Sequence, residues 1–226
     1  MKLSVARSRA PKLAITLSLT LAAELFLVFS AEALAVRQLG RFTGYSPGAT
    51  ALLAALLVGA LALGYRMGQR NQVSGFTIRE QLVWTLPLVS VFLVLALSPN
   101  FLEPFFRIWG GAGLGAPLVK AALYAAGLLA FPMLCLGYSL PALSRALERA
   151  TTRLSQRQRF LLVVCPLLVS VSLAFALSNL LTAESALLVT LLLPAPAYLF
   201  LLRRNHTTPM LLYGAVLGAA FLFTLA

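Results

Sequence analysis

The chain has 226 residues, 60% of them hydrophobic and only 11% charged, with a mean hydropathy of +0.91. Soluble domains are nearer half apolar and a quarter charged, so this composition excludes an ordinary water-soluble fold and indicates a polytopic membrane protein. The formal net charge of +12 does not indicate nucleic-acid binding, because the basic residues fall in short clusters between apolar runs, as in the loops of membrane proteins.

The N-terminal segment carries Lys2, Arg7, Arg9 and Lys12 ahead of an apolar run from Leu13 to Val36. A secretory signal with cleavage after Ala33 or Ala35 is one reading. The run is longer than an ordinary signal core and contains Glu24, which favours a retained transmembrane helix. Six further runs follow, at about Ala49–Tyr65, Gln81–Ser98, Pro117–Tyr138, Phe160–Leu181, Ala186–Leu202 and Pro209–Ala226. Each is close to the roughly 20 residues that span hydrocarbon as a helix, and none alternates as a barrel strand does. The expectation is an all-α integral membrane protein, a single domain of about seven transmembrane helices.

Loop charge sets the expected orientation. Fourteen Lys/Arg lie in the N-terminus and in the loops after the second, fourth and sixth runs, against Arg37, Arg41 and Arg107 in the alternate loops. By the positive-inside rule the N-terminus is cytoplasmic and the C-terminus outside. The segment Ser144–Arg159 is expected to extend the fourth helix and lie near anionic headgroups. Pro99–Ala116, with Phe101, Phe105, Phe106 and Trp109, reads as an interfacial aromatic segment. Pro87, Pro132, Pro166, Pro194 and Pro196 should kink or interrupt their helices.

The second run carries Ala51, Ala55, Gly59, Ala60, Gly64 and Gly68, and the last carries Gly214 and Gly218. Small residues four apart let another helix approach backbone to backbone, so Gly59, Gly64, Gly68, Gly214 and Gly218 are the candidate packing positions.

Several catalytic or metal-binding readings fail. The glycine run Gly110–Gly115 lacks the strand before it and the acidic residue after it that a nucleotide loop needs. The chain has no Asp and one His, His206, beside Arg203 and Arg204, so neither a Ser-His-Asp triad nor a metal cluster can be assembled. Cys135 and Cys165 lie inside apolar runs and read as small core residues. No catalytic residue and no cofactor is expected. The ionisable groups within or beside the membrane remain: Glu24, Glu32, Arg37 and Lys120. Glu24 and Glu32 are eight residues apart, about 80° around an ideal helix, so both can face the bundle interior. A Glu32–Lys120 or Glu32–Arg37 contact is open to them. Polar glue between helices and a ligand site are the two readings of such acids.

Three stretches carry a likeness to a known family: Glu32-x4-Arg37-x6-Gly44, then Leu61-Ala-Leu-Gly64-x3-Gly68-x-Arg70, then Pro132-x4-Gly137-x3-Pro141-x3-Arg145. Together they resemble the multi-spanning membrane domain of fused spermidine synthase-like proteins. That family joins its membrane domain to a synthase domain with a glycine-rich turn and acidic residues. This sequence has no such motif and no Asp, so the resemblance implies the membrane module alone and not aminopropyl transfer. Three functions follow as expectations: a non-catalytic module that anchors or partners another protein, a carrier for a polyamine-like cation at the intramembrane Glu residues, and an accessory subunit of a respiratory or photosynthetic complex. The expected setting is a cell membrane, a bacterial inner membrane, with anionic lipid and a protein partner or second copy as contacts, and no nucleic acid.

Overall fold

The computed structural model describes residues 2–44, 46–70, 78–108, 116–152, 154–196, 211 and 213–220. The glycine run at 110–115, His206 with its two arginines, and most of the sixth and seventh runs beyond residue 196 lie outside them. Every described element is helical: α1 (Lys2–Thr43), α2 (Pro47–Arg70), α3 (Ile78–Leu97), α4 (Pro99–Ile108), α5 (Ala116–Tyr124), a π-helical turn (Ala125–Leu129), α6 (Ala130–Thr151), α7 (Gln156–Leu180) and α8 (Ala183–Leu192). Residues 213–220 are helical as well.

Four helices are long and apolar enough to cross a membrane: Leu13–Thr43, Pro47–Arg70, Pro117–Thr151 and Gln156–Leu180. Segments Thr85–Leu97 and Asn100–Arg107 make a fifth if the pair, bent by 48°, is one span. The bend falls at Ser98-Pro99, where proline withholds a donor from the helix. The aromatic segment after it is thus a short helix, α4, over Pro99–Ile108. Its Phe106 stacks on Phe42 of α1 with ring centroids 4.3 Å apart, and Phe105 meets Tyr124 edge-on at 4.9 Å.

Local chemistry explains the helix ends. Gly44 takes a positive φ of 78°, and its N–H bonds the Gly40 carbonyl at 2.9 Å, closing α1. Ser46 then accepts from the Ala49 N–H at 3.2 Å while Pro47 opens α2, where no donor is needed. At α7, Ser155 and Gln158 form a reciprocal capping box. Pro132 cannot donate to the carbonyl four residues back and crowds it. The backbone widens just before it into the π turn Ala125–Leu129, the relief expected at such a proline.

Helix α1 is the hub. It packs against α6, α7, α8, α2, α3 and α5, and its Phe26, Leu27, Leu34 and Leu39 are fully buried. Contacts fix the helix directions. Ser18 meets Leu162 and Arg37 meets Leu181, so α1 and α7 run parallel. Glu24 meets Ser139 while Leu17 and Leu21 pack with Leu143 and Leu147, so α6 runs the other way. Helix α2 runs alongside α6, Gly64 at Leu134 and Gly68 at Tyr138. The start of α1, the ends of α2 and α6 and the start of α7 therefore share one end of the bundle. That end gathers Arg66, Arg70, Arg145, Arg149, Arg157 and Arg159.

Helix α7 shows what surrounds the protein. Only Pro166, Ser170 and Ala174 are buried, a small-residue stripe four apart facing α1, while Phe160, Leu168, Val169, Phe175 and Leu180 are exposed. A helix apolar on every face is one that meets lipid on its outer side.

At the α2–α6 seam two backbones come into direct contact. A Cβ added to Gly64 would strike the Leu134 carbonyl, one on Gly68 the Tyr138 carbonyl, and one on Gly137 the Leu61 carbonyl. Gly59, Gly214 and Gly218 have nothing within 4 Å of a Cβ among the described residues. Gly64→Leu is therefore expected to cost about 1–3 kcal/mol by forcing two backbones apart. Gly59→Leu, five residues earlier on an open face, should leave stability unchanged. Thermal unfolding of both variants in detergent checks this; equal losses would mean that the seam has no special closeness.

Candidate functional site

Polar contacts along α1 fall in three layers. At the arginine-rich end, Ser18 Oγ donates to the Leu162 carbonyl at 2.8 Å. Midway, Ser170 Oγ of α7 is 2.8 Å from the Ala22 carbonyl and 2.6 Å from that of Pro166. Small hydroxyl residues thus sit where helices touch, reaching across to main-chain carbonyls, as polar side chains do between helices in lipid.

Glu24 occupies the middle layer. It is 0% exposed, and its Oε2 accepts from Ser139 Oγ of α6 at 3.0 Å. Ser139 has one proton and a second acceptor, the Leu136 carbonyl, at 2.9 Å. Glu24 Oε1 has no hydrogen-bond partner among the described residues. Burying a charge with so little compensation is costly, so the carboxyl is tied to one neighbour and shielded from water.

Glu32 and Arg37 make the third layer, two to four turns further along. Arg37 Nη1 donates to the carbonyls of Ser178 at 2.5 Å and Leu181 at 2.6 Å. These belong to the last turn of α7, whose carbonyls have no helical donor and carry the negative end of the dipole. Arg37 therefore closes α7 from a neighbouring helix. Glu32 is half-buried and lines a cleft of about 770 Å³ with Phe29, Val36, Thr50, Phe175 and Asn179. A second cleft, of about 490 Å³ and almost wholly apolar, lies on the opposite flank of the α1–α7 seam between Leu19, Phe26, Leu173 and Leu193.

The structure separates the acids that their spacing allowed to share a face. Glu24 turns to α6 and Glu32 to the cleft beside α7. Lys120, half-buried on α5, forms no ion pair with Glu32; among the described residues the salt bridge seen is Glu103–Arg107 at 3.5 Å, on the exposed side of α4. No group of three or more His, Cys, Asp or Glu that could hold a metal occurs among the described residues. Ser139, Ser170 and Asn179 are site residues that the sequence reading did not single out. The Pro166-x3-Ser170-x3-Ala174-x3-Ser178 spacing is the signal that could have marked the face of α7 that carries Ser170 and borders Asn179.

A double-mutant cycle tests the Glu24 layer. Ser139→Ala should cost about 1–2 kcal/mol in otherwise native protein, by leaving a buried carboxyl without a donor. In a Glu24→Leu background the same change should cost clearly less. Equal costs in the two backgrounds would show that the pair is not coupled.

Compared with protein-family models, curated proteins and solved structures, the chain matches none. What is established is an all-helical protein with several helices fit to span a membrane.

Proposed function

We propose that the chain is a seven-helix membrane module, its N-terminus cytoplasmic and its C-terminus outside, that holds or partners another protein and carries out no chemistry itself. One observation carries this reading: several interior polar side chains join one helix to another. Ser18, Ser139 and Ser170 bond across helix pairs, Tyr124 bonds the Ala96 carbonyl at 2.9 Å near the α3–α4 bend, and Arg37 closes α7. Such a bundle is a rigid support. The gathering of arginines at one end favours the proposed orientation and a contact with anionic lipid. The resemblance to the membrane module of spermidine synthase-like proteins supplies the kind of partner, an enzyme encoded separately. The carrier reading is less supported, because Glu24 and Glu32 face different helices and cannot close on one cation.

Two measurements test it. A reporter active only outside the cytoplasm, fused after Ala226, should be active, and its cytoplasm-only counterpart silent; the reverse would remove the seven-helix topology. Extraction in mild detergent should give an assembly larger than the 24.2 kDa chain, with a second defined polypeptide in fixed ratio. A homogeneous monomer from native membranes would contradict the module reading.

A further inference from the structure

The cleft beside Glu32 is rich in hydrogen-bond acceptors, and several of its donors bond main-chain carbonyls. Thr50 Oγ1 donates to the Ser46 carbonyl at 3.2 Å, Ser178 Oγ to Phe175 at 2.9 Å, and Asn179 Nδ2 to Phe175 at 2.8 Å. Each leaves oxygen lone pairs over, the hydroxyl oxygens of Thr50 and Ser178 and the amide oxygen of Asn179. Arg37, the cation on the cleft wall, directs Nη1 to the end of α7. Glu32 adds a carboxylate that makes no ion pair among the described residues. A cationic donor would complete this carboxylate. The remaining walls, Phe29, Val36, Val171 and Phe175, are apolar. A volume of about 770 Å³ is of the order of a molecular ligand's site and far exceeds a bare ion.

Depth fits as well. Taking the middle of the 13–36 run as the middle of the bilayer, Glu32 lies roughly 11 Å from it at 1.5 Å per residue. The hydrocarbon edge is at roughly 15 Å. Taken so, Glu32 lies between the middle and the hydrocarbon edge, in the half of the span opposite the arginine-rich end.

We propose that this cleft binds a membrane lipid with a primary ammonium headgroup, the ammonium held by Glu32 and the neighbouring oxygens of Asn179, Ser178 and Thr50, and an acyl chain laid along Phe29, Val171 and Phe175. A primary ammonium supplies three N–H donors to this acceptor set, whereas a quaternary one supplies none. The assignment is independent of any protein partner.

The experiment is native mass spectrometry of the purified full chain titrated with phosphatidylethanolamine, phosphatidylcholine, phosphatidylglycerol and N-acetylated phosphatidylethanolamine. Phosphatidylethanolamine should bind about tenfold more tightly than the others, the size of one charge-assisted hydrogen bond. Glu32→Gln should abolish that preference while leaving lipid-free thermal stability near the wild-type value. The N-acetylated lipid removes the cation without altering the protein, so the test stands even if the variant fails to fold. Equal binding of the acetylated and free-amine lipids, or an undiminished preference in a folded Glu32→Gln protein, would overturn the proposal. A free amine arm identifies the source: displacement of the lipid by equimolar ethanolamine would assign the site to a soluble amine and end the lipid assignment.

Discussion

The rest of this fold depends on how α1 is held in place by polar contacts in a setting that offers no water. Between helices in lipid there is little hydrophobic force, so close packing and hydrogen bonds must supply the association. Helix α1 answers this with one contact type per depth: a serine to a carbonyl near one end, a carboxyl to a serine in the middle, and a guanidinium to a helix terminus near the other. Each lies between α1 and a helix more than 100 residues later, so together they fix which helix lies beside which.

The α2–α6 pair uses the complementary solution. Glycines on both sides, Gly64 and Gly68 against Gly137, remove side chains so that the backbones themselves touch. Polar stitching around α1 and close packing between α2 and α6 therefore divide the bundle. Helix α7, exposed over most of its surface, joins α1 through its small-residue stripe and through the Ser18 and Arg37 contacts. A cleft opens on each flank of that narrow seam, and the one that carries a charge is the one beside Glu32.

Much of the architecture was legible because apolar runs of membrane length admit little besides helix. The bend after Leu97 and the short helix α4 were not, since an aromatic segment at an interface reads alike as loop or helix. Gly64 and Gly68 announced a close approach, but nothing in their own spacing named α6 as the partner. Arg37 was harder still. Its partners are the carbonyls of Ser178 and Leu181, and a backbone acceptor leaves no residue pattern to read. For Glu24 and Glu32, helical geometry allowed one shared face 80° wide; the placement of α6 and α7 on either side of that arc gave each acid a different neighbour.

The central claim is that α1 lies against α7 in parallel, held by polar contacts. Disulfide formation in native membranes tests it most directly, using Ala22→Cys with Ser170→Cys after replacement of Cys135 and Cys165. The hydrogen bond from Ser170 to the Ala22 carbonyl places these positions in contact, so mild oxidation should link them rapidly within a full-length chain. Leu168→Cys, on the exposed side of α7, should not link to position 22. No link at 22–170, or equal linking at 22–168, would contradict the account.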